Sequence, residues 1–402
     1  DYEPTTSVHL HGSASEPQYD GYADDRTRPG EYKDYIYPNF QPQRTIWYHD
    51  HGIHHTATNV FMGLAGFYIL NDPLNPVALP SGRYDVAMVV QDRAFATDGS
   101  LLYNDNSQSG AYGNVILVNG APWPVLKVER RKYRFRILNG SVSRGYTFTL
   151  STGEPVTIVG TDGGLMPKPQ VVSSWRHGMA ERYEVVIDFS KYKAGQRVEL
   201  LNLGVPNVPN YKDTGRIMAF DVIGDATDLT NNSIPAQLTQ ENDVMNLPES
   251  KSMRTRQINL ERKNGLWVVN GETWDLVQAS NYQHSIANPG FGDTEIWEIT
   301  NKSGGWFHPT HIHLVDFKVL TRNGRPSYAW EQGPKDVVYI GENETVRLLI
   351  RFDQGKGRYM MHCHNLPHED HDMMVQFEVG TGGPDPLAVK ARPTSQTTPL
   401  WS

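Results

Sequence analysis

Four short segments hold ten of the fifteen histidines: His9-Leu10-His11-Gly12, His49-Asp50-His51, His308-Pro309-Thr310-His311-Ile312-His313, and His362-Cys363-His364 with His368 close behind. Each contains an H-x-H spacing. One such spacing says little, because any strand can carry two histidines on a wet face. Four of them, with only His54, His55, His177, His284 and His371 left over, are poorly explained by chance clustering. On a β-strand, residues i and i+2 project to the same face, so each segment presents two imidazoles side by side. The fold must bring segments from the two ends of the chain together.

Eight imidazoles are too many for one tetrahedral zinc, and structural zinc takes several thiolates where this chain has one cysteine. Eight neutral nitrogens suit a cluster of several coppers. In His362-Cys363-His364 the alternation separates the cysteine from its neighbours. Cys363 points to the opposite face and belongs to a different metal, while staying covalently tied to the cluster. His308 and His368 are available as its partners, and Met373 lies ten residues after it. A His2Cys set with a weak axial methionine describes a blue-copper electron-transfer site. An electron on the Cys363 sulfur then has short bonded routes to the cluster through His362 and His364. A lone cysteine is otherwise as readily a small buried hydrophobe, and it forms no internal disulfide.

The remainder reads as mostly β. Gly (36) and Pro (26) punctuate many short runs rich in strand formers. These are Asp85–Val90, Asn114–Val118, Tyr133–Leu138, Tyr146–Leu150, Tyr183–Phe189, Val198–Leu203, Ile217–Ile223, Leu266–Val269, Glu295–Thr300, Asp336–Ile340 and Val346–Phe352. No long segment keeps a helical period. Val118-Asn119-Gly120-Ala121-Pro122-Trp123 echoes Val269-Asn270-Gly271-Glu272-Thr273-Trp274, each early in its own series of strands. Residues 225–250 are polar and strand-poor and read as a linker, and Gly380–Ser402 reads as a surface tail. The expected organisation is an all-β chain with domains at 1–72, 73–225 and 240–385. A β-sandwich confined to 1–72 is short of several strands, which predicts a missing N-terminal part or a companion peptide.

Charge and hydropathy narrow the partners. A formal net charge of −8 argues against nucleic acid or an anionic membrane as the main partner. No apolar run is long enough to span a bilayer. Asn139, Asn231, Asn301 and Asn343 each begin an N-x-[ST] sequon, which leans toward a secreted, extracellular glycoprotein.

The four histidine motifs, in this order, resemble the four copper signatures of the multicopper oxidases. The likeness extends over most of the chain: Val8–Leu70, Val118–Pro124, Arg131–Leu138, Met179–Phe189, Trp306–Lys318 and His362–Met374 look like the bilirubin oxidase branch. The segment from His364 to Met374 is also close to related spore-coat laccases. The resemblance implies three cupredoxin-like Greek-key β-sandwich domains, the first lacking its N-terminal strands here, and four copper ions. His308, Cys363, His368 and Met373 would hold the type 1 copper. His9 and His311 would hold type 2. His11, His49 and His364 would hold one type 3 copper, and His51, His313 and His362 the other. The middle domain would hold none.

The implied reaction oxidises phenols, aromatic amines or tetrapyrroles such as bilirubin and reduces O2 to water. The alternative is a metal oxidase acting on Cu(I) or Fe(II), and a non-catalytic copper carrier would not need the trinuclear ligands. Asp20 and Glu369 are, by the same resemblance, the proton-supplying acids; the competing reading makes them hydrogen-bond partners that orient histidines. Trp306 reads either as a substrate contact over the type 1 site or as a core aromatic.

Overall fold

The computed structural model describes residues 4–104, 108–239 and 243–394. Strands carry the architecture, and the α-helices among the described residues span only four to six residues each. All eleven expected runs fall on strands. Their alternation explains why: in Tyr146–Leu150 the side chains are buried at every other position, as a sheet with one face on a core demands.

Near the N-terminus Val8–His11, Arg44–Asp50 and Ala65–Leu70 form a three-stranded antiparallel sheet. Its register sets His9 opposite His49, which places the first two motifs side by side. In the middle of the chain a five-stranded and a seven-stranded sheet enclose a core containing Phe135, Phe148, Trp175, Phe189 and Phe220. Toward the C-terminus a six-stranded and a four-stranded sheet enclose Trp267, Trp297, Phe317, Phe352 and Phe377. Burying an aromatic of this size contributes roughly 2–3 kcal/mol. Cys363 and Met373 belong to this last core. In the four-stranded sheet, His308–Ile312 lies between Val337–Ile340 and Gly357–Cys363, with His311 opposite His362. The second register thus joins the third and fourth motifs.

The first sheet is anchored to the C-terminal part by buried polar contacts. The Asp370 carboxylate accepts from the backbone N–H of Thr56 (3.0 Å) and Ala57 (2.8 Å), which open the helix Thr56–Phe61. Tyr22 donates to Gln376 at 2.6 Å, and the Trp274 indole donates to Asp24 at 2.7 Å.

Three sequence expectations are refined. The 225–250 segment carries a short helix, Asp243–Asn246, although residues 240–242 lie outside the described residues. The tail is mostly exposed, yet Arg392–Pro393 pairs with Glu31–Tyr32; residues 395–402 lie outside the described residues. Trp306, read either as a substrate contact or as a core aromatic, is half-buried just before the strand that begins at His308. No helix among the described residues is long and apolar enough to cross a membrane.

Candidate metal centre

Each histidine motif sits where a strand ends: at His11, Asp50, Ile312 and Cys363. The second histidine of each pair is therefore at or just past the last paired residue, still on the face that alternation assigns. All eight H-x-H imidazoles are buried and converge between the first sheet and the four-stranded sheet.

Their inner nitrogens meet in three sets. His9 Nε2 and His311 Nε2 are 3.3 Å apart. His49 Nε2 lies 3.3 Å from His11 Nδ1 and 3.4 Å from His364 Nε2. His362 Nε2 is 3.1 Å from both His51 Nε2 and His313 Nε2.

The outer nitrogens decide where the protons are. His9 Nδ1 faces the Asp20 carbonyl (2.6 Å), His49 Nδ1 the Asp50 carbonyl (2.7 Å), and His311 Nδ1 the Asp336 carbonyl (2.8 Å). His313 Nδ1 faces Asp20 Oδ2 (2.8 Å), His362 Nδ1 faces Glu369 Oε2 (2.9 Å), and His11 Nε2 faces Asp336 Oδ1 (3.0 Å). Oxygen acceptors take the single ring proton of a neutral imidazole. The inner nitrogens of these six are then bare lone pairs, and those of His51 and His364, whose outer Nδ1 atoms are buried without a partner, meet them at little more than 3 Å. That arrangement is repulsive unless electron-pair acceptors sit among them, so the residues present fit metal cations.

Electrostatics agree with neutral ligands. Burial, helped by neighbouring imidazoles, pushes His11, His49, His311, His313 and His364 well below the ordinary histidine range. Burial also lowers His51, with Glu369 acting in the opposite sense. Desolvation disfavours the imidazolium, leaving lone pairs available at neutral pH.

On the other side of the strand, Cys363 Sγ lies 3.3 Å from His308 Nδ1 and 3.6 Å from His368 Nδ1, and the two Nδ1 atoms are 3.3 Å apart. Their outer nitrogens are held by Ser303 Oγ (2.7 Å, His308) and the Ser109 carbonyl (3.0 Å, His368). Burial lowers His308 to about 3 and raises the Cys363 thiol. A cation beside the sulfur reverses that cost, because a coordinating thiol is deprotonated outright. Met373 is fully buried in the same core, and its carbonyl accepts from Cys363 N at 3.1 Å.

The structure brings the other expected site residues to the same region. Asp20 touches both His9 and His313, and its buried Oδ1 makes no hydrogen bond. Burial raises its carboxyl, and His9 only partly offsets this. Glu369 lies between His51 and His362. Burial pushes its carboxyl up too, but His362 and His51 outweigh that and hold it below the ordinary value. Trp306 is half-buried, edge-on to His368 at 6.1 Å.

Sequence reasoning missed Trp267, which stacks on His368 at 3.9 Å with its plane 27° away. It packs edge-to-face with Trp306 at 5.3 Å, and the Arg262 guanidinium lies 4.7 Å from its ring centre. Asp336 was also missed. Its distance along the chain from His11, 325 residues, leaves no local signal. Of the leftover histidines, His177 is buried against the Glu181 carbonyl at 2.7 Å and His284 pairs with Glu272 at 2.8 Å; neither joins the centre.

Lone pairs converging on one face of a strand and a thiol on the other define a copper-binding redox protein built on β-sandwiches. Comparison with known proteins makes the class specific. Profiles described as multicopper oxidase match residues 2–75, 85–196 and 237–383. The chain belongs to the multicopper oxidase family, copper proteins of cupredoxin-like domains that act as oxidoreductases with O2. It is 42% identical to the bilirubin oxidase of Albifimbria verrucaria over 93% of this chain and 67% of that one. It is 34% identical to a Bacillus subtilis laccase over 94% and 80%. The McoA multicopper oxidase structure from Aquifex aeolicus superposes with a TM-score of 0.86 at 30% identity, covering 94% and 85%.

Proposed function

We propose that this protein oxidises small aromatic donors (phenols, aromatic amines or bilirubin-like tetrapyrroles) one electron at a time and reduces O2 by four electrons to water. The observation that supports this reading is the half-buried indole of Trp306, edge-on to His368 at 6.1 Å and backed by the buried Trp267, which offers apolar surface beside the cysteine site. Arg262 adds a positive charge suited to a donor bearing a carboxylate.

His308, Cys363, His368 and Met373 would hold the type 1 copper. His9 with His311 would hold type 2, and the sets His11, His49, His364 and His51, His313, His362 would hold the type 3 pair. Bound copper supplies the one-electron chemistry between donor and O2. The chain does the rest. Cys363 is peptide-bonded to His362 and His364, so the strand itself is the short connection between the two ligand sets. Asp20 Oδ1, buried, unbonded and 3.4 Å from His9 Nδ1, is placed to carry a proton, and burial raises its carboxyl. Glu369, which His362 and His51 hold below the ordinary carboxylate value, is placed to accept one. Carboxyls whose environments push them apart make a donor and an acceptor.

O2 uptake measured with bilirubin, with a phenol and with Cu(I) tests the proposal. Uptake driven by both organic donors is expected; uptake driven by Cu(I) alone would replace it with metal oxidation.

We read the chain as domains 1–72, 73–225 and 240–385, secreted and glycosylated. Asn231 and Asn343 are exposed, whereas Asn139 and Asn301 are buried and bonded to backbone carbonyls, which leaves the first two as acceptors. A companion peptide that completes the first sheet suits its half-buried strand Ala65–Leu70 and the exposed Tyr48, Met62 and Leu64 nearby. Intact mass before and after enzymatic deglycosylation should show glycan on those two sites and a second peptide. A single unmodified species rejects both readings.

A further inference from the structure

We infer that Arg182, which lies in the part of the chain that supplies no motif histidine, is a positioning residue for the imidazole cluster and acts through Asp336. The inference rests on the copper reading above and adds a residue to it.

Arg182 opens the strand Arg182–Asp188 of the seven-stranded sheet and is fully buried. Its guanidinium has five N–H donors, and five acceptors surround it. Nη1 donates to Asp336 Oδ1 at 2.7 Å and to the Ala180 carbonyl at 3.1 Å. Nη2 donates to Asp336 Oδ2 at 2.6 Å and to the Asp162 carbonyl at 3.0 Å. Nε donates to the Thr45 carbonyl at 3.0 Å. One side chain therefore ties the first sheet (Thr45), its own sheet and the segment leading into Val337–Ile340 (Asp336). Ala180 takes a positive φ of 66°, rare outside glycine, and so turns its carbonyl onto Nη1.

The fork–fork pair fixes the Asp336 carboxylate in plane and position. Asp336 in turn holds two cluster histidines. Its Oδ1 accepts from His11 Nε2 at 3.0 Å, and its backbone carbonyl accepts from His311 Nδ1 at 2.8 Å. The first contact sets a tautomer. With its proton on Nε2, His11 turns Nδ1 toward His49 Nε2, whereas the other imidazoles of the three sets meet through Nε2. Gly12, next to His11, makes room for the clamp. A Cβ there would lie 2.7 Å from Arg182 Nη2 and 2.8 Å from Asp336 Oδ2, on a backbone at φ +91°.

A plain interdomain salt bridge is the competing role, and Arg136 supplies the matched control. Arg136 is also buried and also reaches the first sheet, donating to Thr45 Oγ1 and Glu184 at 2.8 and 3.0 Å, without touching a motif histidine. Arg182→Lys keeps the charge and loses the fork. Copper-loaded R182K should keep the blue thiolate band, show an altered EPR signal from the imidazole-bound copper, and lose that copper to a chelator with roughly 10- to 100-fold weaker retention. R136K should show wild-type EPR and retention. Asp336→Asn should reproduce the R182K signature, and the double variant should be no worse than D336N. Wild-type EPR and retention in R182K, or additive losses in the double variant, overturn the inference. Should R182K not fold, Arg182→Gln replaces it, and wild-type retention in D336N overturns the inference by itself. A wild-type protein that takes no copper at the imidazoles strikes the copper reading instead.

Discussion

Replacing Cys363 with serine should remove the intense blue absorption and bring donor-driven O2 uptake down to background, while the eight cluster imidazoles still load copper. The side chain is fully buried between His308 and His368. Serine is nearly isosteric and can keep the weak contact from Asn365 N, now 3.4 Å from the sulfur, so the strand and its neighbours stay in place. What changes is the ligand chemistry. A hydroxyl is a hard, weakly acidic donor that does not supply the soft thiolate a blue-copper site uses. His362 and His364 keep their positions because alternation puts them on the other face. The experiment combines visible absorption, EPR and copper stoichiometry. A serine variant that stays blue, or that turns over a phenol at the wild-type rate, would remove Cys363 from the site.

The second large effect is expected at Asp20. Asp20→Asn should slow O2 reduction by roughly 10²- to 10⁴-fold, the range for loss of a positioned general acid, and leave the blue band unchanged. The substitution separates the two roles of this residue. An amide oxygen can still accept from His313 Nδ1, as Asp20 Oδ2 does at 2.8 Å, so orientation survives. The proton does not. Burial raises the Asp20 carboxyl, so the acid stays protonated to higher pH than an exposed aspartate and is lost as pH rises through that shifted value. The wild-type rate should therefore fall with rising pH on this limb, and the D20N rate should be low and flat across it. An amide variant with wild-type turnover at every pH leaves Asp20 only an orienting role.

Particular elements show what was legible in advance. Tyr146–Leu150 and Leu266–Val269 match their strands residue for residue, because strand formers bounded by turn residues leave few alternatives. Arg254–Lys263 escaped notice, although it is ten residues long. Its outward residues are a mixture of charged and polar ones and its pairing with Thr294–Asn301 is parallel, although Asn264-Gly265, which turns it into an antiparallel hairpin with Leu266–Val269, is a local signal for it. Gly164–Val172 escaped because Pro167 and Pro169 demote a run that reads as a strand. At the site, His308 and His368 could be offered as partners of Cys363 because they are the motif histidines outside the H-x-H pairs, and the family resemblance implied the same set. Trp267 could not, since its contact with His368 depends on how two sheets pack.

The sequence by itself determined which histidines come in pairs and that Cys363 faces away from them, because the two-residue period of a strand is a local property that needs no knowledge of the rest of the fold. Tertiary structure alone decided which nitrogen of each imidazole faces inward, since that depends on acceptors such as the Asp20, Asp50 and Asp336 carbonyls. It also decided that Arg182 and Asp336, 154 residues apart, should meet beside His11. Such contacts follow from the docking of separate sheets, and nothing in the spacing of residues along the chain carries that information.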